Sequence, residues 1–107
     1  MNPTIAVTNE VTTLINVFTV EPENQQRLIE LLQENTSNVI CKLDGWISTN
    51  LIATKDRCRV AIYSQWRDFA SVAAMRANPD MKAYFPKIAA IATLDSLAGK
   101  VVYSRHS

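Results

Sequence analysis
Most catalytic and cofactor sites are built from residues this chain has little of. Its 107 residues include only two glycines, Gly45 and Gly99, so there is no glycine-rich loop to wrap a phosphate. The one histidine, His106, stands next to the C-terminus, where a segment is prone to fray, so a Ser-His or Cys-His nucleophile has nothing to be built on. Cys41 and Cys58 are the only cysteines and are far apart in sequence. That excludes closely spaced metal ligands, and no metal site is expected. Eleven Lys and Arg against ten Asp and Glu leave a net charge of +1, with no pull toward nucleic acid or an anionic membrane. The apolar runs fall far short of the roughly 20 residues that cross a bilayer. The N-terminus lacks a basic segment followed by an apolar stretch, so no secretory signal is expected and the cytoplasm is the default compartment. The two cysteines are then expected as buried, reduced thiols, one on a helix and one on a strand.

What is present is a pattern of strands and helices. Trp46 to Ala53 and Cys58 to Trp66 are rich in β-branched and aromatic residues, and Thr54-Lys55-Asp56-Arg57 joins them as a β-hairpin. In the second of these strands Cys58, Val60, Ile62, Ser64 and Trp66 share one face, and Arg59, Ala61, Tyr63 and Gln65 the other. Neither face is purely polar, so the sheet requires cover on both sides. Val11 to Val20 alternates as a first strand, with Asn16 the polar exception between Leu14 and Phe18. Pro22 to Leu43 reads as one long amphipathic helix, with Pro22 in its first turn and Gly45 as its stop. Asp68 caps a second helical region containing Met75, Asn78 and Pro79 restart it, and Pro86 breaks it near Phe85. Thr93 to Ser104 returns to a strand pattern with Leu97, Val101 and Tyr103 on one face, and Gly99 marks a bulge or a close approach.

The order β-α-β-β-α-β makes the ferredoxin-like α+β arrangement, with one antiparallel sheet, the simplest topology. Residues 1–10 form an N-terminal arm and residues 11–107 one domain. A common RNA-binding domain has the same element order, but CRVAIYSQW lacks the basic-glycine start and the paired exposed aromatics that such a domain uses.

Four segments carry a resemblance: TLINVFTVEPENQQRLIELLQ, DGWISTNL, VAIYSQW and AAMRANPDMKAYFPKI. In this order and spacing they resemble the antibiotic biosynthesis monooxygenase (ABM) family over about Thr13 to Tyr103. The resemblance implies a homodimer that packs two sheets into an α+β barrel, which would cover the second apolar face. It also implies oxidation of a small phenolic, aromatic or polyketide-like molecule by oxygen, without metal, flavin or haem, in a pocket between the sheet and the second helical region. Asn16 is similar to a first-strand asparagine of haem-degrading relatives, and Trp66 to a tryptophan that ends the third strand in many members. These two are the expected catalytic pair, an amide that hydrogen-bonds an oxygen anion and a flat indole wall. Ile52, Tyr63, Met75, Tyr84 and Phe85 are the expected substrate-binding residues. Two departures stand out. Tyr84 and Phe85 replace the histidine of haem-handling relatives, and Ile52 stands where many members carry a second histidine. Tyr63 and Tyr84 are the remaining candidates there, and a phenol is a poor base unaided. A binding or regulatory barrel without turnover is therefore the alternative, and a purely structural dimerisation module is a third reading. Packing roles for Asn16, Trp66, Met75, Tyr84 and Phe85 remain open beside the functional ones.

Overall fold
A computed structural model describes residues 11–107, and the expected arm over residues 1–10 lies outside the described residues. The elements are β1 (Thr12–Val20), α1 (Gln25–Asn38), β2 (Trp46–Ala53), β3 (Arg59–Trp66), α2 (Phe69–Ala77), α3 (Pro79–Lys82), α4 (Phe85–Ala89) and β4 (Ala92–Gly99). The four strands form one sheet in the order β2-β3-β1-β4, and each neighbouring pair is antiparallel. This is the ferredoxin-like arrangement. No helix among the described residues is long and apolar enough to cross a membrane.

All the helices lie on one side of the sheet. Leu14, Phe18 and Val20 of β1 and Val60, Ile62 and Trp66 of β3 are buried under Leu28, Leu31 and Leu32 of α1, Val72 and Met75 of α2, Met81 of α3 and Ile88 of α4. Each such aliphatic side chain contributes about 1.5–3 kcal/mol on burial, so this layer dominates the stability. Gln25, at the start of α1, is buried and donates through Nε2 to the carbonyls of Thr54 (3.2 Å) and Arg59 (3.0 Å), which ties the helix to the hairpin. On the other side of the sheet the residues of β1, β3, β2 and β4 that line up are Ile15, Tyr63, Asn50 and Leu97 in one row and Val17, Ala61, Ile52 and Asp95 in the next.

Several boundaries differ from the sequence reading. The long helix is divided: a 3-10 turn at Pro22–Asn24 precedes α1, and a second at Ile40–Lys42 follows it. The helix fails where Thr36, Ser37, Asn38 and Val39 follow one another, all of weak helix propensity, and Thr36 Oγ1 donates back to the Leu32 carbonyl at 2.8 Å. Strand β4 ends at Gly99, so Val101 and Tyr103 do not extend the face that Leu97 occupies. Gly99 pairs with Thr13 and has no atom near the position of a Cβ, so it marks neither a bulge nor a close approach. The bulge lies instead between Trp46 and Ser48 of β2. Cys58 sits in the hairpin turn rather than on β3, and Cys41 is exposed rather than buried. In that turn Arg57 takes a left-handed φ of 65°, and Asp56 Oδ1 accepts from the Cys58 amide (2.9 Å) and from Thr54 Oγ1 (2.7 Å).

The chain enters β2 through a tight corner. Gly45 has a φ of 85°, and a Cβ there would collide with the Ser71 side chain at the start of α2. Its carbonyl accepts from the Arg67 amide at 2.7 Å. Replacing Gly45 by alanine therefore adds both a disfavoured backbone and a clash. The expected loss is about 1–3 kcal/mol, read as a lower urea midpoint with an unchanged slope.

Candidate active site
The interior between helices and sheet is divided into two apolar clusters. The first holds Phe18, Val20, Leu28, Leu31, Leu32, Val60, Ile62 and Ile88. The second holds Leu14, Val39, Ile40, Trp66, Val72, Met75 and Met81. A row of polar residues separates them along β1, β3 and the segment made by α1 and the turn after it. On β1 it is Asn16, between Phe18 and Leu14; on β3 it is Ser64, between Ile62 and Trp66; on α1 it is Asn35, between Leu32 and Val39. Tyr84, between α3 and α4, packs against both clusters. Asn16 pairs with Ile62 on one side and with Ser96 of β4 on the other. The helix-side residues of β4, Leu94, Ser96 and Ala98, are exposed, so the polar seam opens at that edge of the sheet.

The hydrogen bonding of the seam is uneven. Trp66 is 1% exposed, and its indole N–H donates to Ser64 Oγ at 3.2 Å. Ser64 Oγ donates in turn to the Leu14 carbonyl at 3.3 Å. Tyr84 donates its hydroxyl proton to Glu34 Oε1 at 3.1 Å, and Lys87 Nζ lies 5.4 Å from the centre of its ring. The half-buried Asn16 side chain makes no hydrogen bond among the described residues. Asn35 is 4% exposed, and its Oδ1 is buried without a protein partner. Leaving such an acceptor unmet costs about 1–3 kcal/mol, comparable to what burying a leucine contributes.

The expected site residues do not all meet. Asn16, Trp66, Met75 and Tyr84 are on the helix side. Ile52 and Tyr63 are on the opposite side of the sheet: Ile52 pairs with Ala61, and Tyr63 with Ile15. They cannot share a pocket with Asn16, because the sheet stands between. Alternation along β3 already separates position 63 from position 66. Phe85 begins α4 and is 42% exposed. The residues that sequence reasoning missed are Asn35 and Ser64. The signal for Asn35 was its place in the inner stripe Leu28, Leu31, Leu32, Asn35, Val39, where every other member is apolar.

Two clefts lie elsewhere. One of about 510 Å3 lies beside the ends of β1, β3 and β4, lined by Val17, Thr19, Cys58, Arg59, Thr93, Leu94 and Asp95. The other, of about 340 Å3, lies beside α2 and is lined by Leu43, Asp44, Arg67, Asp68 and Met75, among others. Neither includes Asn16 or Trp66. At the second, Arg67 donates to both oxygens of Asp44 (3.1 and 2.9 Å), and Asp68 caps α2 by accepting from the Ser71 amide (2.8 Å) and hydroxyl (2.7 Å). Arg67 holds the Asp44 carboxyl below its usual pKa, and the two Ser71 bonds do the same for Asp68. The ion pair is exposed and so contributes little, which leaves the cap as the stabilising part. Among the described residues no three His, Cys, Asp or Glu side chains come together as a metal site would require.

Comparison with known proteins identifies the family. The family profile described as antibiotic biosynthesis monooxygenase matches residues 12–87. The chain belongs to this family. A curated relative, the tetracenomycin-F1 monooxygenase of Streptomyces glaucescens, is 35% identical over 82 residues, which cover 77% of this chain and 73% of that protein. Among solved structures the fold is similar to SnoaB, a cofactor-independent oxygenase from Streptomyces nogalater, with a TM-score of 0.72 and 17% identity over 92% of this chain and 96% of that one. It is also similar to a conserved protein of unknown function from Bacteroides thetaiotaomicron, with a TM-score of 0.76 and 20% identity over 87% and 99% of the two chains. In this ABM chain the helix-side seam, with its unpaired amides, is the interior position best equipped to meet a polar group of a ligand.

The depressed Asp68 carboxyl gives a pH prediction. A group with a lowered folded pKa stabilises above its ordinary value and loses that contribution as the pH falls through the folded one. Asp68→Ala should lower the urea midpoint at neutral pH, and the difference from the parent should close as the pH drops below about 4.

Proposed function
We propose that this chain is a cofactor-independent monooxygenase that oxidises a small aromatic or polyketide-like phenol with molecular oxygen. The observation that carries the reading is the 35% identity to the tetracenomycin-F1 monooxygenase over most of both chains. The seam supports it. The clusters on either side are apolar, as the rings of a fused aromatic molecule require of their surroundings, and Asn16 has an uncommitted amide beside the β4 edge. In the reaction a CH2 carbon conjugated with a phenol loses both hydrogens and gains one oxygen atom of O2, and the other oxygen leaves as water. The ionised substrate supplies the electrons, so the protein orients it, excludes bulk water and stabilises negative charge.

In this reading the Asn16 amide donates to the oxygen anion of the substrate or of its peroxide adduct. Trp66 acts as a wall, because its N–H is committed to Ser64. Tyr84, with its proton held by Glu34, keeps its oxygen lone pairs for a substrate hydroxyl. Met75 lines the apolar side. A binding barrel without turnover is the second reading, favoured by the commitment of the Trp66 donor to Ser64. Oxygen uptake separates the two. Metal-stripped protein with 1,8-dihydroxyanthrone should consume oxygen in the presence of a chelator, and Asn16→Ala should lower kcat/KM by about 10²-fold or more. Ligand-induced tryptophan quenching without oxygen uptake would contradict the enzymatic reading.

The same reading includes a homodimer. Ile15, Val17, Ala61, Tyr63, Ile52 and Leu97 form a continuous apolar patch on the side of the sheet away from the helices, and Ile52 and Leu97 are more than half exposed. A second copy of the chain, packed sheet against sheet, would bury it through an isologous contact. Leu97→Asp adds a charge at an exposed position that the isolated subunit does not need. It should convert a dimer to a monomer in sedimentation equilibrium without loss of helical signal. An unchanged dimer would place the interface elsewhere.

A further inference from the structure
We infer that Asn35 is a substrate-positioning residue, and that its Oδ1 accepts a hydrogen bond from a ring hydroxyl of a hydroxylated fused-ring ligand seated in the seam. This rests on the proposed function for the nature of the ligand, but its geometry is independent of any turnover. Asn35 is 4% exposed, its Oδ1 has no protein partner, and it lies on the inner face of α1 at the level where the two apolar clusters part. Buried acceptors are almost always met, so an unmet one marks a place where a further group belongs. The neighbouring side-chain donors of the seam are already committed, Trp66 to Ser64, Ser64 to the Leu14 carbonyl and Tyr84 to Glu34. Asn35 and Asn16 are the exceptions. They lie on the helix and the sheet, the two layers that enclose the interior. A flat ligand between these layers would place ring carbons against the clusters and its oxygens along the seam. Asn16 would then face the oxygen that becomes anionic, as a donor, and Asn35 a hydroxyl that keeps its proton, as an acceptor.

A carboxamide with a purely structural role would make no distinction between ligands. The discriminating experiment measures anaerobic binding by tryptophan quenching for two probes, 1,8-dihydroxyanthrone and anthrone, which lacks the ring hydroxyls. Parent protein, Asn35→Leu and Asn35→Ala are compared. The parent is expected to prefer the hydroxylated probe by at least about tenfold, as a single buried hydrogen bond supports. Both variants are expected to lose that preference while binding anthrone as the parent does. Asn35→Leu is also expected to melt no lower than the parent, since it removes an unmet acceptor from the interior. Equal loss for both probes, preference retained in both variants, or no binding of the hydroxylated probe by the parent would each overturn the inference. A trapped water that permanently satisfies Asn35 predicts the second of these outcomes. Preference lost in the variants while the parent consumes no oxygen would uphold the Asn35 role and contradict the monooxygenase reading. Oxygen uptake with affinities independent of residue 35 would do the reverse.

Discussion
The constraint on which the rest of the structure depends is the central position of β1, hydrogen-bonded to β3 on one edge and β4 on the other. A strand enclosed on both edges has only its two faces left, and alternation sends Leu14, Asn16, Phe18 and Val20 to one and Thr13, Ile15, Val17 and Thr19 to the other. The first set determines what the helices must cover. Leu14, Phe18 and Val20 supply the apolar surface against which α1 and the α2–α4 segment pack, and Asn16 interrupts it at the sheet's middle. The register then fixes the neighbours of that interruption, Ile62 and Ser96, and a slip of one residue would move all four side chains to the wrong face.

Packing energetics do not explain why the interior splits rather than closing over Asn16. An apolar residue at positions 16, 35 and 64 would merge the clusters and add several side chains' worth of burial, each about 1.5–3 kcal/mol. The chain instead keeps two amides and a hydroxyl there, and only the hydroxyl is fully used within the protein. Stability alone does not favour this choice. The arrangement suits the proposed recognition of a molecule with both ring carbon and oxygen, because specificity of that kind comes from a few placed polar groups within an apolar enclosure.

Much of the fold was legible because the signals were local and strong. The hairpin, the caps at Asp68 and Asn78 and the break at Pro86 each rest on a residue whose chemistry admits few alternatives. The family resemblance was carried by the same segments. What sequence reasoning misjudged depended on competition between weak preferences. The run Thr36 to Val39 still has helical spacing, but Thr36 turns its hydroxyl onto the Leu32 carbonyl and Val39 leaves the helical conformation. Val101 and Tyr103 alternate like a strand but do not join the sheet, because β4 ends its pairing with β1 at Gly99 opposite Thr13. Of the candidate site, Asn16 and Trp66 do share a face. Ile52 and Tyr63 were grouped with them although the bulge in β2 and the alternation in β3 carry both to the far side. Asn35 stands in the inner stripe with Leu28, Leu31, Leu32 and Val39, but only the docked helix shows that its oxygen is left without a partner.

The central claim is that a ligand sits on the helix side of the sheet, between the amides of Asn16 and Asn35. Its most direct test is a titration with 1,8-dihydroxyanthrone under nitrogen, followed by the side-chain amide resonances of assigned 15N-labelled protein. The account predicts that the NH2 signals of Asn16 and Asn35 shift together and saturate at one ligand per chain, while that of Asn50, on the opposite face, stays in place. Shifts confined to Asn50 and to the backbone amides around Ile52, Tyr63 and Leu97 would contradict it and move the site to the open side of the sheet.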